Sequence, residues 1–344
     1  MAPPGYAGVE THNLSTAQAR TMRVRVEAGS RLHVGFQNLS LAHERLYGGV
    51  GFAVDEPRVV LEAKAAQSVE CDDPLVAEYA TRAADLLGVD GARIAVEETL
   101  PRHVGLGSGT QLALAALAAV AAAHDCELRV RERAPALNRG GRSGVGVAAF
   151  EAGGFVVDAG HPTERFTADP PAPGEWEVPA VVARHALPSD WRFVVALPAA
   201  ERGRSGEAEA ESMRAVVERA EPAVAGELAT LLVRRLLPAV AEGRIAAFGD
   251  AVAAFGRLNG AWYADEQGGV YRPPAGRLID ELVDHPAVLG VGQSSWGPAV
   301  YGVTDVDRMD DARDAATDAL AEAGVDGEVR VVAPRNDGAR ITRV

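Results

Sequence analysis

The segment from Pro101 to Ala123 sets the strongest constraint on how this chain can fold. Three glycines in five residues, Gly105, Gly107 and Gly109, precede a run of Ala and Leu that continues to Ala123. Such a run strongly favours an α-helix. Because the run is apolar on nearly every side, we expect this helix to be buried in the core of a domain.

A glycine loop that opens a helix predicts an anion-binding site. The first N–H groups of a helix have no partner within it, and they lie at the positive end of its dipole. We therefore predict that phosphate or pyrophosphate binds to Gly105, Gly107, Ser108, Gly109 and Thr110, with hydroxyl donors from the serine and the threonine. A glycine-rich turn without a ligand is the alternative. The loop has neither the lysine of a P-loop nor the spacing of a dinucleotide-binding loop.

The charge balance argues against two classes of partner. The chain has 48 acidic and 34 basic side chains, a net charge of -14, and Lys64 is its single lysine. Nucleic acids and anionic membranes bind basic patches, so we expect neither as a partner. The longest apolar run, 112–123, is too short to span a bilayer. An acidic, lysine-poor surface also suggests a halophilic, archaeal source.

The length of 344 residues is sufficient for two domains of ordinary size. Residues 1–20 are polar and predict a disordered tail. Strand and helix patterns then alternate without a strict βαβ rhythm, which favours two α+β domains. A hairpin is predicted from Val147–Glu151 and Phe155–Asp158. The two cysteines lack metal-ligand spacing and suit a reducing compartment, so we expect a cytoplasmic protein.

Four segments resemble the GHMP kinase superfamily, and within it the β-ribofuranosylaminobenzene (β-ribofuranosylhydroxybenzene) 5′-phosphate synthases. They are RLHVGF with GGVGFAV, HVGLGSGTQ, GRSGVGVAAFEAGGFVVDAG and GVGQSSWGPAVYG. The resemblance implies an N-terminal domain like ribosomal protein S5 domain 2, over residues 21–187. It implies a ferredoxin-like C-terminal domain over 188–344. The site is then expected between the domains, and the protein is expected to form a homodimer.

The resemblance also implies a reaction. These synthases join phosphoribosyl pyrophosphate to 4-hydroxybenzoate or 4-aminobenzoate, releasing pyrophosphate and CO2, on the way to methanopterin-type cofactors. Mg²⁺ is the expected cofactor, because it can neutralise the departing pyrophosphate. An ATP-dependent small-molecule kinase and a binding protein without catalysis are the alternatives. The sequence Ser108-Gly109-Thr110-Gln111 departs from the Ser-Ser-Ala that a kinase of this superfamily usually carries.

The same comparison suggests roles for polar residues near the predicted loops. Arg31 and Arg142 would clamp anions, His33 would orient the substrate or move a proton, and Ser143 is a further catalytic candidate. His33 could equally be a satisfied strand histidine, and Trp296 a core residue. The substrate-binding candidates are His103, Gln111, Gln293, Ser294, Ser295 and Trp296. The metal-binding candidates are Ser108 and Asp158, with Glu201 and Glu207 as weaker ones.

Overall fold

The computed structural model describes residues 22–169, 171–172, 174–201, 203 and 206–344. The predicted disordered tail, residues 1–20, lies outside the described residues. The described chain forms two antiparallel sheets with helices packed against them.

The elements are numbered here in chain order. The strands are β1 (Val24–Asn38), β2 (Arg45–Ala66), β3 (Gly91–Glu98), β4 (Phe155–Asp158), β5 (His161–Pro162), β6 (Val181–His185), β7 (Trp191–Pro198), β8 (Val291–Gln293), β9 (Val300–Asp305), β10 (Gly327–Val332) and β11 (Arg340–Arg343). The helices are α1 (Pro74–Leu87), α2 (Ser108–Ala123), α3 (Val130–Arg133), α4 (Val145–Ala152), α5 (Gly206–Arg219), α6 (Pro222–Leu231), α7 (Leu237–Ala241), α8 (Ile245–Gln267), α9 (Ala275–Leu282) and α10 (Met309–Glu322). A 3₁₀ turn covers Pro135–Leu137, and a π-helical turn joins α6 to α7 at Leu232–Leu236.

The first sheet is built around the long hairpin of β1 and β2. In the described part of the chain its order is β11-β1-β2-β4-β6, with β3 and β5 also paired to β2. The pairing of β1 and β2 shifts register between Ala28 and Ser30. A Cβ on the intervening Gly29 would lie 2.2 Å from the carbonyl oxygen of Val54. This bulge lets one strand bend without ending, and β1 therefore continues through Gly29.

Helix α2 is the buried helix that the Ala/Leu run predicts. It packs against β1, β2 and α1, and its side chains are buried from Gln111 to Ala121. Helix α1 begins at an N-cap, Asp73, whose carboxylate accepts the N–H groups of Leu75 and Val76. The same carboxylate accepts a hydrogen bond at 2.8 Å from Arg102, just before the glycine loop. The start of α1 is therefore tied to the segment that leads into α2.

The predicted hairpin across residues 147–158 is wrong in its first half. Residues Val145–Ala152 form a helix, α4, while Phe155–Asp158 is the strand β4. A short apolar run does not distinguish a buried helix from a buried strand by its periodicity. Gly153 and Gly154 then separate the two elements with positive φ angles.

The second sheet confirms the ferredoxin-like topology. Its order in the described residues is β10-β7-β9-β8, all antiparallel. Numbered within this sheet, that is 4-1-3-2, and the predicted α+β class is confirmed. The predicted boundary at 187 stays a prediction, and the structure adds that β11 returns to pair with β1 in the first sheet. Among the described residues, no helix has the length and apolarity needed to cross a membrane.

His161 in β5 is a buried titratable group of the first sheet. Its side chain is 4% exposed, and its ring stacks on Phe166 with centroids 3.6 Å apart. Burial lowers the pKa of His161 from 6.5 to about 4, and the charges of Arg45 and Arg165 act in the same direction. A hydrogen bond with the backbone of Gly140 opposes this shift only in part. The imidazole is therefore neutral in the folded protein at neutral pH.

We predict that His161 makes the fold sensitive to mild acid. A histidine with a lowered pKa binds its proton more readily in the unfolded chain, so stability is complete above pH 6.5 and lost as the pH falls toward 4. In His161→Gln, the slope of unfolding free energy against pH between 6.5 and 5 should decrease by up to one bound proton. Urea titrations at several pH values measure this slope. An unchanged slope in a folded variant would contradict the prediction.

Candidate active site

The predicted anion loop is shaped by two glycines with left-handed backbone. Gly105 has a φ of 100° and Gly107 a φ of 74°, which residues with a side chain rarely adopt. A Cβ on Gly105 would also lie 2.2 Å from the carbonyl oxygen of Ser294. Helix α2 begins at Ser108, directly after Gly107, without a side-chain cap among the described residues. The N–H groups of Thr110 and Gln111 donate to the carbonyl oxygen of Gly107 at 3.1 Å, which leaves those of Ser108 and Gly109 for a ligand. Phosphate binding by this loop stays a prediction.

Ser294 joins this loop to β1. Its hydroxyl donates to the carbonyl oxygen of Gly105 at 2.7 Å and accepts the backbone N–H of His33 at 3.0 Å. The N–H of the next residue, Ser295, donates to the carbonyl oxygen of His33 at 3.1 Å. Three segments that are remote in sequence therefore meet at one buried hydroxyl.

The Arg31 side chain lies along the glycine loop. Its Nη1 donates to the carbonyl oxygen of Gly105 at 3.2 Å, and a Cβ on Gly107 would lie 3.4 Å from its Nε. The Nε atom is buried and has no partner among the described residues. Burial lowers the pKa of Arg31 to about 10, while the charge of Glu209 acts in the opposite direction. Arg31 is therefore cationic at neutral pH and keeps one N–H for an anion.

His33 lies two residues further along β1 and is 3% exposed. Its ring packs edge-on against Phe36 with centroids 4.9 Å apart. Burial, and after it the nearby charge of Arg31, holds the pKa of His33 well below 6.5. Within the described ranges its Nε2 is buried without a hydrogen-bond partner. The side chain is therefore a neutral imidazole with one unused nitrogen.

The His33 side chain, with this unused nitrogen, lines a pocket that is partly open to solvent. The walls come mainly from β1, from α8 and from the loop between β8 and β9, and they combine aromatic rings with uncharged amides. Its lining residues are His33, Val34, Gly35, Phe36, Gly256, Asn259, Gly260, Tyr263, Gln267, Val270, Tyr271, Gln293, Ser295 and Trp296. Aromatic walls with a few convergent polar groups are the lining that suits an aromatic ligand.

The loop between β8 and β9 forms one wall of the pocket. Trp296 is 9% exposed and packs edge-to-face on Tyr263, with centroids 4.8 Å apart. Gln293 accepts the N–H of Arg272 at 2.7 Å and donates to the carbonyl oxygen of Ser295 at 2.9 Å. The structure therefore brings three predicted residues, Gln293, Ser295 and Trp296, to the pocket. The Gln293 amide is used in hydrogen bonds that hold the loop.

Gly256 is an opening in the α8 wall. A Cβ placed on it would come no closer than 4.0 Å to a described atom, the carbonyl oxygen of Val34. One turn later the situation is reversed, because a Cβ on Gly260 would lie 2.2 Å from the carbonyl oxygen of Val270. Gly260 is therefore required for packing, whereas Gly256 leaves space that belongs to the pocket.

Arg142, on the second glycine loop, is an ion-paired residue. Its Nη1 donates to Glu209 at 2.7 Å, and both side chains are partly exposed. It also forms a hydrogen bond with the hydroxyl of Tyr47, which opposes the rise that burial causes in the pKa of Tyr47. The charges of Arg142 and Glu209 act on Tyr263 as well. Arg142 is thus not among the lining residues, but its charge, shared with a carboxylate, reaches Tyr263 in the pocket wall.

Ser143 and Asp158 hold the second glycine loop together. The Ser143 hydroxyl donates to Asp158 at 3.1 Å, and the buried carboxylate also accepts the N–H groups of Gly144 at 2.7 Å and Gly160 at 2.9 Å. A third backbone donor is Gly49, where a Cβ would lie 2.1 Å from the Ser143 hydroxyl. Burial raises the pKa of Asp158, and these hydrogen bonds oppose the rise. Both carboxylate oxygens of Asp158 therefore hold the loop, and its predicted role as a metal ligand stays a prediction.

The remaining predicted residues of the glycine loop differ in exposure. The Gln111 amide is buried and donates to the carbonyl oxygen of Gly146 at 2.8 Å, which links the two glycine loops. Thr110 is partly exposed and packs against Gly146, and Ser108 is also partly exposed. His103 is exposed, and its carbonyl oxygen accepts the N–H of Gly203 at 2.7 Å.

The weaker metal candidates lie at the surface. Glu201 has a side chain that is 92% exposed and is 3.1 Å from Arg272. Glu207 is exposed in the first turn of α5. Across the described ranges, no group of three or more His, Cys, Asp or Glu side chains is arranged to hold a metal ion.

Sequence reasoning missed five site residues. Asn259, Tyr263 and Gly256 lie on one face of α8 at helical spacing, and their break in an apolar pattern is the signal that could have found them. Glu209 carried no signal, because the chain is rich in carboxylates. Arg139 also lies against the glycine loop, 3.2 Å from the position of a Cβ on Gly109.

Comparison with known proteins agrees with this geometry. The model named GHMP kinases N terminal domain matches residues 75–154, and the model named GHMP kinases C terminal matches residues 236–325. Among solved structures, the galactokinase of Lactococcus lactis superposes with a TM-score of 0.66 at 12% identity, covering 94% of this chain and 97% of that one. The phosphomevalonate kinase of Streptococcus pneumoniae superposes with a TM-score of 0.65 at 13% identity, covering 94% and 100%. At this identity these two structures show the fold alone.

Sequence relatives are more specific. The beta-ribofuranosylphenol 5'-phosphate synthase of Methanothermobacter thermautotrophicus is 35% identical over 336 residues, which cover 91% of this chain and 97% of that one. The protein of the same name from Archaeoglobus fulgidus is 34% identical over 327 residues, covering 92% and 99%. With similarity at this level over nearly the whole length, the chain belongs to the family of beta-ribofuranosylphenol 5'-phosphate synthases within the GHMP kinase superfamily.

Proposed function

We propose that this enzyme transfers the phosphoribosyl group of phosphoribosyl pyrophosphate to 4-hydroxybenzoate or 4-aminobenzoate, with release of pyrophosphate and CO2. The observation that carries the proposal is the placement of an aromatic-lined pocket beside a helix-opening glycine loop, with Ser294 bound to both sides. A phosphorylated sugar and an aromatic ring are the two partners that such a pair of subsites fits. The name of the relatives contains the same three groups: a ribosyl unit, a phenol and a 5'-phosphate.

The reaction balances without an oxidant or a reductant. The bond between ribose C1 and the pyrophosphate oxygen breaks, and pyrophosphate leaves with the electron pair. The ring carbon that bears the carboxylate then bonds to C1. The bond from that ring carbon to the carboxylate breaks next, its electron pair returns to the ring, and CO2 leaves. The protein must therefore stabilise pyrophosphate, exclude water from the ribosyl cation and release the carboxylate.

In this proposal the glycine loop and Arg31 bind the leaving pyrophosphate. The N–H groups of Ser108 and Gly109 lie at the positive end of α2, and Arg31 keeps an unused Nε–H beside Gly107. Charge that develops on a leaving oxygen gains most from donors that are already in place. A buried guanidinium is such a donor, because few water molecules compete with it.

The pocket holds the aromatic acid, with its ring against Trp296. His33 Nε2, neutral and unpartnered, accepts the proton of the para-hydroxyl group as the ring becomes electron-poor during attack, and returns it when CO2 leaves. Arg142 binds the carboxylate from the Tyr263 end. Because Arg142 already pairs with Glu209, its hold on a second carboxylate is weakened, which suits a group that must depart.

Mg²⁺ is proposed as the counter-ion of the pyrophosphate, whose charge it would neutralise. Ser108 fits this role, since its partly exposed hydroxyl opens α2 and Mg²⁺ at phosphates needs few protein ligands. We expect removal of Mg²⁺ with a chelator to weaken pyrophosphate binding at least tenfold, and Ser108→Ala to reduce that dependence. Calorimetric titration of pyrophosphate with and without the ion measures both. Equal affinity in the two conditions would exclude this role.

The direct test of the proposed reaction uses carboxyl-labelled 4-hydroxybenzoate with phosphoribosyl pyrophosphate and Mg²⁺. We expect labelled CO2 and pyrophosphate to form in a one-to-one ratio. An ATP-dependent kinase, the alternative on this fold, would instead consume ATP with a small alcohol and release no CO2. Absence of labelled CO2 from both aromatic acids with folded enzyme would overturn the proposal.

A further prediction concerns the space beside Gly256 in the pocket wall. Gly256→Leu should fill part of the pocket proposed to hold the aromatic acid, since the nearest described atom to a Cβ at this position is 4.0 Å away. We expect the KM for the aromatic acid to rise at least tenfold, with the KM for phosphoribosyl pyrophosphate within twofold of wild type. Steady-state kinetics measures this split.

The matched control is Gly226→Leu. Gly226 is exposed in α6, and a Cβ there meets no described atom within 4 Å. Both variants replace a helical glycine, so both should gain helix propensity. If the two variants had the same kinetics, the aromatic acid would not occupy this pocket.

A further inference from the structure

The strongest feature left unassigned is the guanidinium of Arg139. It lies flat against the first turn of α2, with Nη1 3.2 Å and Cζ 3.5 Å from the position of a Cβ on Gly109. Its Nη2 donates to the hydroxyl of Tyr79, and its Cζ is 5.2 Å from the centroid of the Tyr79 ring. Its Nε is buried and has no partner in the described part of the chain.

This position is electrostatically unfavourable without a ligand. The start of a helix carries a partial positive charge, and a cation beside it is destabilising. The first turn, Ser108-Gly109-Thr110-Gln111, contains no carboxylate. Arg31 already brings a second guanidinium to the loop, beside Gly107, and its own Nε is also buried without a described partner.

The carboxylate whose charge acts on Arg31 does not balance the two guanidiniums. Glu209 raises the pKa of Arg31, but its side chain is bound to Arg142 at 2.7 Å. Tyr79 offers Arg139 only a neutral hydroxyl and the face of its ring. Two guanidiniums and a helix start therefore surround the glycine loop with an excess of positive charge.

We propose that Arg139 is the second guanidinium of the anion site, with Tyr79 as its positioning residue, and that the ligand is a diphosphate ester. Arg31 binds it on the Gly107 side and Arg139 on the Gly109 side. Two guanidinium groups beside two different glycines of one loop suit a ligand with two phosphoryl groups better than one with a single group. The identity of that ester as phosphoribosyl pyrophosphate rests on the proposed function, whereas the binding of the diphosphate group does not.

The test is calorimetric titration with inorganic pyrophosphate at constant Mg²⁺. Arg139→Gln should weaken binding at least tenfold, and Tyr79→Phe, which keeps the ring and removes the hydroxyl, should weaken it about threefold. Arg82→Gln is the control, because Arg82 pairs with Glu78 on the exposed face of the same helix as Tyr79. It should bind pyrophosphate like the wild type.

A second measurement separates positioning from folding. In Arg139→Gln and Tyr79→Phe the affinity for the aromatic acid and the melting temperature should stay near wild type. A merely structural role would change these two quantities together with the affinity for pyrophosphate. Failure of the wild type to bind pyrophosphate, or an Arg139→Gln affinity within twofold of wild type, would overturn the proposal. If Arg139→Gln did not fold, unchanged binding by Tyr79→Phe would overturn it. Pyrophosphate binding that depends on Arg139, without labelled CO2 from the aromatic acids, would reject the reaction and leave the anion site standing.

Discussion

The hydroxyl of Ser294 is the contact on which the geometry of the site depends. It binds the carbonyl oxygen of Gly105 and the N–H of His33, both of which are backbone groups. A parallel link runs from the N–H of Ala299 to the carbonyl oxygen of Val104 at 3.0 Å. Loss of such a buried hydroxyl leaves its partners unsatisfied, at a cost of about 1–3 kcal/mol. Because these links end on backbone groups, the packing of the two halves of the chain sets the distance between the two proposed subsites.

The function proposed here requires an acidic protein to bind two anions, which needs positive charge close to the ligands. The net charge of -14 repels anionic substrates at long range. Salt screens that repulsion beyond about 10 Å at 0.1 M, whereas buried guanidiniums such as Arg31 act at contact distance in a weakly polar environment. A rise in salt therefore removes the opposing long-range field and leaves most of the local attraction. An acidic surface and an arginine-rich site are compatible for this reason.

Part of this site could be predicted because some residue types are tied to local geometry. Glycines before an Ala/Leu run indicate a loop and a buried helix wherever the chain then goes. The roles of Gln111 and Asp158 could not be separated from ligand binding, because a polar side chain near a glycine loop looks the same in sequence whether it binds a substrate or the loop itself. The pocket could not be predicted either. Gly256 and Tyr263 can be recognised as pocket residues only once α8 is known to pack against β1.

The return of β11 to the first sheet has a consequence for folding during synthesis. Arg340–Arg343 pairs with Val24–Glu27, so the first sheet contains residues from both ends of the described chain. β11 follows the four strands of the second sheet in the chain, so it leaves the ribosome after them. The β1 edge of the first sheet can be completed only then. Such long-range pairing is slow, because the loop must be closed before the contact forms. The second half can therefore be assembled while β1 is still an unpaired edge, and the nascent chain carries that exposed edge until β11 has been synthesised.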